Sequence, residues 1–178
     1  GLHFFLARSV RAATQSHVID EVLAAVCSAP LKLTLPVKQK LIEKRSCDLE
    51  MEADIIFVLD GSFSTRQDGF DRILSFVSAT VDALSGNIQY AAIQYSDVIT
   101  EEFNFKYRLK KDLIEEIKAM KYDSGWSTYT GLAMEKAWSM LFDQRFGARN
   151  AVTKIMVILT DGRTKDDIEK ISENIKNA

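Results

Sequence analysis

Three short stretches of this sequence carry the residue types that could do chemistry. Asp60-Gly61-Ser62-Phe63-Ser64 follows the apolar run Ile55–Leu59, and Thr160-Asp161-Gly162 follows the run Ile155–Leu159. Between them, Ser127-Thr128-Tyr129-Thr130-Gly131 groups hydroxyls just ahead of an apolar helical pattern. Short, continuous, β-branched runs are the mark of strands buried on both faces. An Asp at the end of each such strand therefore stands where open α/β sheets bind ligands, in the crevice beyond the strands' carboxyl ends. If the backbone stays extended, alternation sends Asp60, Ser62 and Ser64 to one side of their loop. A carboxylate with two hydroxyls offers only hard oxygen donors, which suit Mg²⁺, Mn²⁺ or Ca²⁺ better than zinc or copper. Taken alone, the same residues would serve as helix caps.

The elements that must position these groups are legible as periodicity. Phe70, Ile73, Leu74, Val77 and Val81 recur at helical spacing and Gly86 follows as a stop. Ile88–Tyr95 and Val98–Phe105 read as two strands joined so tightly that they must form an antiparallel hairpin. Leu113, Ile114, Ile117 and Met120 mark a helix, Met134, Trp138 and Leu141 another, and Ile168, Ile171 and Ile175 a last one. Strands alternating with helices predict an α/β fold, doubly wound, with a mostly parallel sheet and one antiparallel edge hairpin. Trp138, on its helix's apolar stripe, is expected in the core, and Trp126 is assigned to core or loop packing ahead of ligand contact.

Composition narrows the function. The chain has 178 residues, 47% apolar and 27% charged, which is ordinary globular material. A net charge of −2 and a pI near 5.8 leave no overall electrostatic footprint for nucleic acid. The longest uncharged stretch, Ala83–Ser96, is 14 residues, too short for a bilayer span of ~20. Without an initiator Met, the chain reads as a piece of something longer. Cys27 and Cys47 match no zinc or redox spacing, and His3 and His17 read as surface residues. Residues 1–47 hold seven Lys/Arg against three Asp/Glu, whereas 48–178 hold 16 against 22. That shift, with Pro30, Pro36 and the basic run Lys38–Arg45, sets a boundary near 47–52. Before it lies a helical or irregular segment of unknown role, with an amphipathic helix expected over 15–28; after it, 48–178 forms the α/β domain.

The combination Asp60, Ser62, Ser64, Thr128 and Asp161 resembles the metal-ion-dependent adhesion site of von Willebrand factor A domains. Asp54–Ser62, Phe70–Phe76, Gln89–Ser96, Thr100–Phe105, Phe146–Arg149 and Thr153–Gly162 are similar to the inserted domain of integrin α subunits, leukocyte members above all. The likeness spans roughly 47–178. It implies a domain of the von Willebrand factor A type that is C-terminally truncated here, leaving the strand at 154–160 with an open edge. It further implies Mg²⁺ or Mn²⁺ held by those five residues, a protein ligand presenting a Glu or Asp, an integrin β subunit as partner, and a cell-surface location. Thr128–Ala133 is equally similar to matrilins and collagen VI, which implies the alternative of a secreted matrix protein. An enzyme is the third reading, with Asp60 as a phosphoryl acceptor. Ser62 stands where a second Asp would be wanted, and neither GxxxxGK nor GxSxG occurs, so no enzymatic activity is expected.

Overall fold

The computed structural model describes residues 2–8, 52–161 and 164–176, with the backbone alone for 2–8 and 176. Its elements are β1 (Leu2–Arg8), β2 (Glu52–Asp60), α1 (Arg66–Ala83), β3 (Asn87–Tyr95), β4 (Ile99–Phe103), α2 (Lys110–Lys118), α3 (Thr130–Phe142), a short 3₁₀ turn (Gln144–Phe146), β5 (Thr153–Thr160) and α4 (Ile168–Lys176). The sheet order is β1-β5-β2-β3-β4, parallel except for the β3–β4 hairpin. This is the doubly wound α/β architecture that the alternation of patterns predicts.

Strand β2 sits in the middle and reads as apolar throughout because both faces are covered. Ala53, Ile55, Phe57 and Leu59 pack against Phe70, Ile73 and Val77 of α1 and Leu113 and Ile117 of α2. Ile56 and Val58, of opposite parity, pack against Ala133, Met134, Ala137 and Leu141 of α3 and Ile175 of α4. Each large side chain so buried contributes about 1.5–3 kcal/mol. Asp54 and Asp60 share parity with Ile56 and Val58, so both carboxylates fall on the α3–α4 side of one strand.

Several expectations need correcting. The outer edge of β5 is covered: Leu2–Arg8 pairs with it in parallel along Lys154–Thr160. The first residues thus contribute a strand to the sheet, although they fall in the segment read as helical or irregular. The helix expected over 15–28, both cysteines and His17 lie outside the described residues. Helix α1 ends before Gly86, at Ala83, with Leu84 already extended. The second strand of the hairpin is shorter than Val98–Phe105, because Val98 belongs to the turn. Trp138 is only partly buried and lies against Phe142, itself 52% exposed, so it borders the core.

Candidate metal centre

The carboxyl ends of β2 and β5 are neighbours, and the chain leaves them on opposite faces of the sheet, β2 through α1 on one face and β5 through α4 on the other. This is the switch point at which doubly wound sheets open a crevice. Asp60 closes β2 there with its side chain fully buried. Its Oδ1 accepts the N–H of Ser62 at 3.0 Å, and its Oδ2 accepts the Thr160 hydroxyl at 3.0 Å and the N–H of Asp161 at 3.4 Å. Among the described residues no Lys or Arg pairs with it.

Beyond Asp60 the chain turns instead of continuing extended. Thr65 N–H bonds the Ser62 carbonyl at 3.0 Å, and that turn brings Ser62 Oγ to 3.1 Å from Ser64 Oγ. The two hydroxyls therefore converge by turn geometry, which corrects the alternation argument. The loop is held from outside as well: Phe63 N–H donates to the Gly125 carbonyl at 2.6 Å and the Tyr122 hydroxyl to the Ser62 carbonyl at 2.7 Å. Such close approach needs glycine twice. A Cβ at Gly61 would collide with the Gln94 side chain, and one at Gly125 with Ser96.

Thr128 is buried on the loop before α3, and that loop is stapled to the one that follows β5. The Thr128 carbonyl accepts from Lys165 N–H at 2.9 Å and the Thr164 hydroxyl at 3.3 Å. Asp166 accepts the N–H of Leu132 at 2.9 Å and is bonded by the Thr164 hydroxyl, so it caps α3 from another part of the chain. Burial opposes its ionisation, but Thr164 and the N–H groups of Gly131 and Leu132 outweigh burial and hold its carboxyl below the usual range. Tyr95 lies under both loops, its hydroxyl 3.2 Å from that of Thr130. Burial, reinforced by the charge of Asp60, pushes its phenol up, so it stays neutral. Asp161 is exposed at the mouth of the crevice.

The structure thus joins Asp60, Ser62, Ser64 and the backbone of Asp161 by direct contacts, and ties the Thr128 loop to them through Thr164, Thr130 and Tyr95. Thr160, Tyr95, Thr164 and Asp166 were missed by sequence reasoning. Their partners are remote in sequence, so no local pattern announces them. The helix-cap alternative is not realised: neither α1 nor α3 has a side-chain cap from its own N-cap residue. A cleft of about 320 Å³ between Val81, Asn87 and Leu113 lies at the opposite end of the sheet, away from this cluster.

A divalent cation fits these residues. A fully buried carboxylate without a cationic partner is costly, and every neighbouring donor is a hard oxygen. With this geometry in hand, the sequence profile of the von Willebrand factor type A domain matches residues 54–178. The chain belongs to that family. It is 32% identical to human matrilin-1 over 129 residues and 31% identical to the mouse collagen α4(VI) chain over 140, covering 70% and 75% of this chain. The chain spans about a quarter of matrilin-1 (26%) and 6% of the collagen chain. Among solved structures, mussel proximal thread matrix protein 1 superimposes with a TM-score of 0.65 at 23% identity, over 72% of this chain and 36% of that one. That mussel structure is described as having a zinc-occupied MIDAS motif. Strand β1 falls outside the profile match, so this A domain carries a sheet strand from upstream of the family's own segment.

Proposed function

We propose that this chain is a divalent-cation-dependent protein-binding module of the extracellular matrix, with Asp60, Ser62, Ser64, Thr128 and Asp161 as its metal site. The observation that carries the reading is Asp60: fully buried, hydrogen-bonded among the described residues by a hydroxyl and N–H groups and by no cation, and facing the crevice between β2 and β5. A bound Mg²⁺ or Mn²⁺ would supply an electrophilic point for an acidic residue of another protein. The chain's own part is to orient the donors. Thr160 and the Ser62 N–H hold the Asp60 carboxylate, the turn at Ser62–Thr65 brings two hydroxyls together, and the Thr164–Asp166 staple sets the Thr128 loop. Recognition of this kind is electrostatic and makes or breaks no covalent bond.

Its relatives are matrix proteins, which favours the matrix reading over an integrin α subunit and withdraws the support that a β subunit and a membrane-anchored parent would need. They also point away from an enzyme. The zinc-occupied site of the mussel protein widens the set of ions to test beyond the hard cations. Calorimetry of Mg²⁺, Mn²⁺ and Zn²⁺ binding decides the matter. Binding lost in Asp60→Ala/Asp161→Ala, with the fold intact by circular dichroism, supports the site; equal binding by wild type and variant overturns it.

A further inference from the structure

Two of the largest exposed apolar side chains among the described residues belong to the loops that carry the metal donors. Phe63 stands between Ser62 and Ser64 and is 57% exposed; Trp126 precedes Ser127 and Thr128 and is 81% exposed. Their rings stack, centroids 5.1 Å apart and planes within 14°. The bond from Phe63 N–H to the Gly125 carbonyl locks their backbones together, so the pair is a preformed platform. Trp126, read from sequence as packing, is the most exposed large apolar side chain described.

Two carboxylates, Asp97 and Asp123, belong to the loops beside the platform. Asp97 accepts the N–H of Trp126 at 2.7 Å, and that bond, helped by Ser127, holds its carboxyl below the usual range. Asp123 lies three residues before Trp126 and accepts the Thr100 hydroxyl. Neither carboxylate forms an ion pair among the described residues. Two cations lie near these loops: Lys165, whose charge also acts on Asp97, bonds Ser127 Oγ at 2.8 Å, and Arg66 turns to Asp68 at 3.7 Å. An electron-rich indole face with carboxylates beside it complements a cation better than an aliphatic group.

We propose that the Phe63–Trp126 stack receives a cationic side chain, arginine above all, from the same partner whose carboxylate meets the metal. This rests on the metal-dependent reading above and adds a second determinant to it: a partner with an acidic residue and a nearby arginine is preferred to one with an acidic residue alone. Arginine suits the place because its planar guanidinium stacks on a ring while keeping its in-plane donors for carboxylates.

The test titrates the isotopically labelled full chain, in Mg²⁺, with short Gly/Ser peptides carrying one Glu and, at each neighbouring position in turn, Arg, norleucine or Ser, followed by amide NMR shifts. The best Arg peptide should bind roughly fivefold more tightly than its norleucine counterpart, equivalent to about 1 kcal/mol, and the preference should shrink as salt rises. Trp126→Leu, which keeps apolar area without the indole, should erase the preference and leave norleucine binding unchanged. Asp97→Asn, which keeps an acceptor for the Trp126 N–H but removes the charge, should weaken it. Norleucine binding as well as Arg, or an Arg preference that survives Trp126→Leu, overturns the inference while leaving the metal reading intact. Peptides that bind equally in EDTA, or equally with Gln in place of Glu, or not at all, overturn the metal reading and the inference with it.

Discussion

Strand β2 carries two fully buried carboxylates on the same face, Asp54 at its amino end and Asp60 at its carboxyl end, and the fold treats them in opposite ways. Asp54 is neutralised from inside: Lys154 Nζ lies 2.7 Å from its Oδ2, and Arg149 donates from its backbone N–H at 2.7 Å and from Nε at 2.8 Å. The two cations are themselves satisfied, Lys154 by the Arg149 carbonyl and Arg149 by the carbonyls of Ala53 and Asn87. Asp60, six residues on, has hydroxyl and N–H partners and no cation among the described residues. A buried charge solved internally becomes structure, holding the 3₁₀ turn's exit to the start of two strands. The other buried charge, on the function proposed above, is left for a cation from outside.

That contrast can be broken first at the Asp54 end. Asp54→Ala strands Lys154 and Arg149 near each other without a counter-charge, and loss of one partner from a buried pair costs about 3–5 kcal/mol. Urea unfolding should show that loss, while the molecules that remain folded keep their metal affinity. A loss under 1 kcal/mol would mean that the cluster is not a buried ion pair in solution.

At the other end the sign should reverse. Asp60→Asn removes an uncompensated charge, so in EDTA its stability should lie within about 1 kcal/mol of wild type. The variant should, however, forfeit the stabilisation that a saturating divalent ion confers, about 2.7 kcal/mol at a hundredfold excess over Kd. Thermal unfolding with and without Mg²⁺ reads both quantities. A wild type whose unfolding ignores Mg²⁺, Mn²⁺ and Zn²⁺ would erase the contrast.

Strand β1 sharpens the comparison, because it pairs with β5, the strand that contributes to both ends. Phe4→Pro/Phe5→Pro removes two adjacent N–H groups, one of which must face β5, at a cost of about 2 kcal/mol. Hydrogen exchange should then quicken at Met156–Leu159, and size-exclusion chromatography should show association through the uncovered edge. Unchanged protection of β5 would detach β1 from the sheet.

The smallest effect belongs to Asp166, whose capping of α3 should contribute about 1 kcal/mol or less, since the carboxylate is partly solvated. Its folded pKa is depressed, so this contribution is fully present above the ordinary carboxylate value near 4 and fades as pH falls through the lower folded value. The stability difference between wild type and Asp166→Ala should therefore be flat near neutrality and close in acid. A difference that grows on acidification would show the cap to be misassigned.

Much of this was legible beforehand, for stated reasons. Buried strands such as Ile55–Leu59 and Ile155–Leu159 announce themselves because covering both faces leaves no room for polar residues. Helices announce themselves by period. The proposed donors Asp60, Ser62, Ser64, Thr128 and Asp161 stand out because they follow strands or precede a helix, where side chains escape the core. The exposed stack of Phe63 on Trp126 did not stand out, since hydrophobic type argues for burial and only the loop geometry turns these rings to solvent.

The sequence by itself determined the alternation of strands and helices from Ile55 onward and the oxygen-rich chemistry of the strand ends. Both depend on residue type and local period. Only the tertiary structure decided that Leu2–Arg8 covers β5, that Asp54 finds Arg149 and Lys154 some hundred residues away while Asp60 finds no cation among the described residues, and that Asp166 caps a helix beginning at Thr130. Such pairings join residues far apart in the chain, and their free energy comes from burial and charge compensation that exist only once the layers have closed.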